Sequence, residues 1–324
     1  MKGINVGQLD TVTSKYLYPQ GSPQRRLFAL WYFGSLITLW NIAGHTFLGF
    51  EQSWASPVVS VGTAALVTLL LEHLRSFTQN DQVRYLGGTN AFASTFIPAL
   101  IPGLAVGMLL YPNESLLPLV FASALSIASK VLIRIPFGNG TQHIFNPSNL
   151  GITLTLFLFP SVGLAPPYHF TENLTGAAHW LLPLGILLSG LFVHGYATGR
   201  LPLCAAWIGG FVLQGLIRSW IFDIPWNVPL MPMTSAAFIL FTLYMIPDPA
   251  TTPLQIRRQI AFGLTVAAIY GVVISAHIVF GLFVALFATS ALRGAALAAS
   301  TLGGLRDPHL TKTSQDSGRL TNPS

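Results

Sequence analysis

Charge is what this chain has least of. Asp, Glu, Lys and Arg make up 8% of its 324 residues, against roughly 25% in a soluble domain. Hydrophobic residues make up 52%, and the mean hydropathy is +0.60. Too few ionised groups remain to solvate a 34.9 kDa globule, so an ordinary soluble enzyme is excluded, as are a disordered chain and a disulfide scaffold. Cysteine is nearly absent. The single Cys204 cannot form an internal disulfide, and a cysteine-ligated iron–sulfur cluster needs about four thiolates. Cys204 sits in an apolar stretch and reads as a small buried hydrophobe. The first 26 residues are polar and lack the short apolar core and small-residue cut site of a cleavable signal. There is no phosphate-binding glycine loop, no dinucleotide glycine fingerprint and no nucleophile elbow.

What is present is a series of apolar runs: 27–46, 57–75, 91–111, 115–134, 149–165, 180–199, 201–221, 228–247, 259–276 and 278–298. A hydrocarbon core about 30 Å thick takes roughly 20 helical residues, so these predict an all-α, polytopic membrane protein of about ten spans. Pro98, Pro102 and Pro183 fall inside runs, which neighbouring helices tolerate when they satisfy the freed backbone groups. Small residues such as Ala205, Ala206, Gly209 and Gly210 let helices approach closely. The expected layout is an N-terminal cytoplasmic segment 1–26, a membrane domain 27–300 and a flexible cytoplasmic tail 301–324.

The few charges support the count. With the N-terminus in the cytoplasm and the spans alternating, every one of the sixteen Lys and Arg residues except Arg218 falls on the cytoplasmic side, as the positive-inside rule requires. The net charge of +6 is therefore a topology signal and no nucleic-acid signal. Both termini are expected inside, in a bacterial cytoplasmic membrane. Trp40, Trp54, Trp180, Trp220 and Trp226 cluster near the outer boundary, as an aromatic belt does. Ten spans divide into halves of five, about 27–165 and 166–300, and an odd number per half would make them inverted repeats. A faint echo links Thr89-Asn-Ala-Phe92 with Thr234-Ser-Ala-Ala-Phe238.

Three regions hold the polar groups. In the first, Lys130, Arg134 and His143 precede Asn146-Pro147-Ser148-Asn149. Asn146 reads as an N-cap with proline at the first helical position. Either this is a capped helix with basic anchors, or the helix start and the cations form an anion site. In the second, Asp248-Pro249 repeats the cap-plus-proline device, and Thr251 and Thr252 would add hydroxyls in a first helical turn. Asp248 is either a plain cap or an acid that handles a cation or proton at the membrane boundary. The third is the outer loop Pro166–Trp180, with His169, Glu172, Thr175 and His179. Its spacing matches no three-ligand zinc pattern. His194 alone among the histidines lies well inside a span, too little for haem.

These residues carry a resemblance. Ser129–Arg134 with His143–Gly151, and Met233–Phe241 with Met245–Pro253, resemble the two signatures of the membrane subunits RnfD and NqrB. These belong to the Rnf electron-transport complex and the sodium-pumping NADH:quinone reductase. Leu30–Phe33, Gly44–Trp54 and Val162–Asn173 are similar to the branch labelled UnbU-type enediyne biosynthesis protein, a label that names a pathway and no reaction. The resemblance implies FMN joined through its phosphate to a threonine. The matching run here is Glu172-Asn-Leu-Thr175-Gly-Ala-Ala178. Ala178 holds the acceptor position and has no hydroxyl, and Glu172 replaces the motif's aspartate. Covalent FMN is therefore not expected, and a noncovalent flavin (FMN or riboflavin) is the cofactor the resemblance leaves. Its expected binding residues are Lys130, Arg134, His143, Asn146, Ser148, Asn149, Thr234, Asp248, Thr251 and Thr252, with Glu172 and Thr175 in the outer loop. Three functions stay open: a flavin- or quinone-associated electron-transfer component with partner membrane or redox subunits, an ion or small-molecule carrier on the same scaffold, and a membrane anchor of a biosynthetic complex.

Overall fold

A computed structural model describes residues 23–137, 140–166 and 170–305. Most of the expected terminal segments, 1–22 and 306–324, therefore lies outside the described residues. The chain is mostly helical, and each apolar run contains a helical segment. α1 (Pro23–Ala43) ends in a π-helical turn (Gly44–Leu48); α2 (Ala55–Gln79), α3 (Thr89–Leu109), α4 (Leu117–Leu132) and α5 (Pro147–Leu158) follow. α6 (Ala178–Val193) also ends in a π-helical turn (His194–Thr198), and α7 is Leu201–Phe222. α8 (Ala236–Leu240) lies between a 3-10 turn (Val228–Thr234) and a third π-helical turn (Phe241–Met245), before α9 (Ile256–Ser275) and α10 (Gly281–Leu305).

Among the described residues, 7 of these helices are long and apolar enough to cross a membrane, or 8 if the 3-10 turn and α8, bent by 74° at their junction, are one span. α4 with 16 residues and α5 with 12 are shorter. The departures from the expected runs have local causes. α5 stops at Leu158 because Pro160 follows, and the residue before a proline is pushed out of the α region. Pro229 and Pro232 hold 228–234 in a tight turn. Ser235 then accepts from the Phe238 N–H at 3.2 Å and restarts the helix as its cap. The structure also adds two small antiparallel ladders to the expected all-α fold. β1 (Leu110–Tyr111) pairs with β4 (Gly163–Leu164). β2 (Arg134–Phe137) and β3 (Gly140–His143) form a hairpin that sets Arg134 opposite His143.

The outside of the bundle is apolar. Leu66, Leu70, Leu74 and Phe77 of α2, Leu188 and Phe192 of α6, and Leu213, Trp220 and Ile221 of α7 are all exposed. Such faces belong to a hydrocarbon solvent. Trp54, Trp180, Trp220 and Trp226 are exposed, and Trp40 is half-buried. Inside, Trp207 and Phe211 of α7 pack with Phe238, Phe241 and Tyr270 in the central cluster. α7 and α9 approach so closely at Gly263 that an added Cβ would lie 2.7 Å from the Leu203 carbonyl oxygen.

In the first half α1 packs on α3, α2 on α3 and α4, α3 on α4 and α5, and α4 on α5; in the second α6 packs on α8, α7 on α9 and on the 3-10 and π turns that flank α8, and α9 on α10. Between halves, α1 meets the π turn of α6, and α5 meets α10. The π turns of α1 and α6 end alike, each on a left-handed glycine. Gly49 (φ 88°) and Gly199 (φ 65°) donate their N–H groups to Gly44 and His194.

Candidate functional site

Both halves line one cavity of about 2460 Å³. Arg25, Arg26, Lys130, Arg134, His143, Arg200, Arg258 and Arg293 surround one end of it, with Asp248 as the carboxylate among its lining residues. Toward the other end the lining is apolar and aromatic, with Trp40, Phe170, Phe238 and Phe280 among it.

Two of the polar groups at the basic end are placed by proline. Within a helix, Pro102 offers no N–H to the carbonyl of Pro98, and the Lys130 ammonium donates to that carbonyl. The Met245 carbonyl, at the end of the π turn, accepts from Asn146 Nδ2 at 3.0 Å. The Leu243 carbonyl faces Pro247, and the fully buried His194 fills the place through Nε2 at 2.5 Å. That contact makes Nε2 the protonated nitrogen, so Nδ1 accepts from the Thr198 hydroxyl at 2.7 Å. With both nitrogens engaged, His194 is a structural group, and it stands in the last turn of its helix instead of well inside it. Trp207 Nε1 (2.9 Å to Thr242 Oγ1) and Cys204 Sγ (3.6 Å to the Thr242 carbonyl) complete the clamp on the π turn of α8.

The cap expected at Asn146 is present. Its Oδ1 accepts from the Asn149 N–H at 3.1 Å and from Ser148 Oγ at 2.9 Å, with Pro147 at the first helical position. Asn149 donates to the Phe283 carbonyl at 3.2 Å. These bonds tie α5 to α8 and α10. Arg134 braces its own hairpin, bonding Thr141 and the Lys130 carbonyl. Burial holds the pKa of His143 below the ordinary imidazole value; Asp248 works against this, and Lys130 and Arg134 add to it.

The helix start expected at Asp248 is absent. Residues 247–255 form turns, and α9 begins at Ile256 after Gln255. Pro249 and Pro253 prevent regular helix there. Asp248 closes the turn on itself, accepting from the Ala250 N–H at 3.1 Å and from Thr251 Oγ1 at 3.0 Å. Thr252 Oγ1 donates to the Asp248 carbonyl at 2.7 Å. Gln142 of the hairpin donates to the Ala250 carbonyl. Arg200, 2% exposed, holds the same turn through Thr252 Oγ1 at 2.9 Å and the Pro249 carbonyl at 3.3 Å. Arg293 reaches the Thr251 carbonyl at 2.8 Å. Burial pulls the Arg200 guanidinium below its usual range, against the pull of Asp248. Among the described residues no carboxylate lies within 4.0 Å of Lys130, Arg134, Arg200 or Arg293. Asp248 apart, the cations of the basic end are held by neutral dipoles, which leaves net positive charge that suits an anion.

The structure brings Lys130, Arg134, His143, Asn146, Ser148, Asp248 and Thr252 to one end of the cavity. Asn149 and Thr251 are buried beside them. Thr234 lines the cavity but lies at the start of α8, donating to the Met231 carbonyl at 2.8 Å. Glu172 and Thr175 are exposed in the loop before α6 and do not line the cavity. His169 of that loop lies outside the described residues. Ala178, the first residue of α6, presents a methyl group where the resemblance implies a phosphoester, so a covalent flavin does not fit there. The cavity exceeds the roughly 300–1,000 Å³ of typical ligand pockets and has cations among its lining residues. Among the described residues there is no group of three metal-ligating side chains. Sequence reasoning missed Arg25, Arg200 and Arg293; a lone arginine between two apolar runs, as at Arg200, was the available signal.

No protein-family model matches this chain, and no curated protein matches it.

Proposed function

We propose that the chain is an RnfD/NqrB-like protein of the bacterial cytoplasmic membrane that holds a flavin noncovalently between two inverted halves and passes electrons with partner subunits. In this reading the chain crosses the membrane ten times, α4 and α5 included. Both termini are cytoplasmic, and the basic end of the cavity faces the cytoplasm. The matched π turns of α1 and α6, each ending on a left-handed glycine, support the inverted halves. The positive-inside count supports the orientation.

The observation that carries the reading is the cavity itself: shared by both halves, aromatic within and cationic at one end. Lys130, Arg200 and Arg293 would hold a phosphate, and Phe33, Phe238 and Tyr244 line the space for a planar ring system. A bound flavin would supply the redox chemistry. The chain's own residues bind, orient and exclude water. The Tyr244 hydroxyl is paired with Ser189 at 2.6 Å, which leaves its ring as a fixed wall.

The test is a visible spectrum of the detergent-purified protein with fluorescence of its denatured extract. Extractable flavin supports the reading, and colourless protein without it overturns it. Arg293→Gln should weaken FMN binding at least tenfold while leaving riboflavin affinity within twofold, since only FMN carries the phosphate. A fluorescent band that survives SDS would contradict the argument from Ala178.

A second reading is a carrier without redox activity. It is favoured by the reach of the cavity from the basic end to Val228, Tyr270 and Phe280 near the opposite helix ends. Flux of an organic anion into vesicles by flavin-free protein would select it.

A further inference from the structure

We infer that the seam between α9 and α10 is a side entrance to the cavity, through which a long-chain carboxylate passes from the surrounding bilayer with its head held by Arg258 and Arg293. The inference needs the cavity and these two spans, and it does not depend on a flavin. The two helices touch beside the turn that joins them: an added Cβ at Gly281 would meet Ile274 at 2.8 Å and Tyr270 at 3.4 Å. Toward the basic end the cavity reaches both of them. Ala261 and Thr265 line it from α9, and Leu292, Ala296 and Ser300 line it from α10. Each set is spaced by four residues and so forms one face of its helix. These faces are open as well as lining. Elsewhere Ala105, Met108, Phe238 and Phe241 line the cavity at 4–6% exposure, whereas Leu292 is 59% exposed, and Ala261, Ala296 and Ser300 are exposed too. Leu292 lies two turns, about 12 Å, inside the end of the span at Ser300. At that depth the opening faces hydrocarbon.

Two cations flank the seam. Arg258 of α9 and Arg293 of α10 both line the cavity, and their charges lie close enough to repel each other. Arg293 donates to the Thr251 carbonyl at 2.8 Å. Among the described residues the exposed Arg258 side chain has no ion pair. An anion between the two guanidiniums relieves the repulsion. The polarity then runs as in a membrane amphiphile: cations near the helix ends at the basic end, and Ala261, Thr265 and Leu292 toward the middle of the spans. Further in, Phe241, Leu282 and Phe283 line the cavity and would receive an alkyl chain. A carboxylate is a small head that a guanidinium grips with two parallel bonds. A seam lined by Ala261, Thr265 and Ala296 suits a single chain that such a head can follow inward.

The test is electron paramagnetic resonance of 16-doxyl stearate with the full chain in phosphatidylcholine nanodiscs, with spin-labelled phosphatidylcholine as the measure of ordinary boundary lipid. The expected result is a motionally restricted stearate fraction at least twice that of phosphatidylcholine. Palmitate should displace it, whereas hexadecanol, which lacks the charge, and acetate, which lacks the chain, should not. Ala296→Trp fills the seam and should bring stearate down to the phosphatidylcholine level. Arg258→Gln should raise the half-saturating stearate concentration at least fivefold, and it keeps the test open if the tryptophan disturbs α10. The inference is overturned if stearate is no more restricted than phosphatidylcholine, if hexadecanol displaces it as well as palmitate does, or if Arg258→Gln leaves binding unchanged. Equal restriction of spin-labelled phosphatidylglycerol would also overturn it, by assigning the site to a two-chain lipid.

Discussion

Replacing His194 with leucine isolates the value of a side chain that stands in for a missing backbone donor. His194 is fully buried and bridges the Thr198 hydroxyl and the Leu243 carbonyl, at 2.7 and 2.5 Å. Leucine has similar bulk, so no large cavity opens. A hydrogen bond inside a membrane bundle is worth about 0.6 kcal/mol on average and up to about 1.7, and two are lost. The Leu243 carbonyl is then orphaned, because Pro247 has no N–H to offer, and a buried unsatisfied acceptor costs about 1–3 kcal/mol. The expected loss is about 2–4 kcal/mol. Glutamine restores the Nε2 donor but not the Thr198 bond, so His194→Gln should lose only about 1 kcal/mol. SDS-driven unfolding of the detergent-solubilised protein, followed by tryptophan fluorescence, measures both. The reasoning fails if the leucine variant is within about 0.5 kcal/mol of the parent, or if glutamine is no better than leucine.

Three further outcomes follow from the same geometry. Gly263→Ala should cost about 1–3 kcal/mol by overpacking, since the new methyl meets the Leu203 carbonyl 2.7 Å away and the Trp207 nitrogen 2.9 Å away, both backbone; an unchanged SDS unfolding midpoint would show that α7 and α9 can separate freely. Lys130→Met strips the donor from the Pro98 carbonyl and should destabilise by about 1–3 kcal/mol, read in the same titration, with Pro102→Ala in the Lys130→Met background recovering part of the loss. The lowered pKa of His143 means the folded state binds fewer protons than the unfolded one. Its contribution is complete above the unfolded value of about 6.5 and is lost as pH falls below it. His143→Gln should therefore flatten the drop in thermal midpoint between about pH 7 and 5.5; an identical slope in both proteins would assign the drop to other groups.

Much of this architecture was legible because membrane solvation writes itself into composition. The apolar runs located the helical segments, 7 or 8 of them long enough to cross a membrane, and the Asn146-Pro147 pair located the start of α5 through a local bond that its own residues supply. Legibility failed where the same local signal was overridden by a second proline and by tertiary partners. Asp248-Pro249 looks like Asn146-Pro147, but Pro253 lies four residues beyond Pro249, and the segment closes as turns around Arg200. The short length of α5 followed from Pro160. The β2–β3 hairpin was not legible, because its Arg134–His143 pairing has no alternation of apolar residues to announce it. The candidate site was half visible. Its basic residues were countable, yet their grouping around one cavity depends on α1, α7 and α10 meeting the hairpin. A usable sign was overlooked: a proline four residues after an interior carbonyl calls for a donor from elsewhere, and Lys130 and His194 are those donors.

The shortness of α5 has an electrical consequence. Its 12 residues rise about 18 Å at 1.5 Å each, against about 30 Å of hydrocarbon. Under the proposed ten-span arrangement, the cations gathered beside its first turn would sit below the level of the lipid headgroups. The transmembrane voltage would then fall across a thinner septum than the bilayer itself, at about 2.3 kcal/mol per elementary charge for each 100 mV crossed in full. An anion seated against Arg200 and Arg293 would already have entered that field. Its occupancy in a sealed vesicle should follow the imposed potential, whereas in detergent it depends on concentration alone.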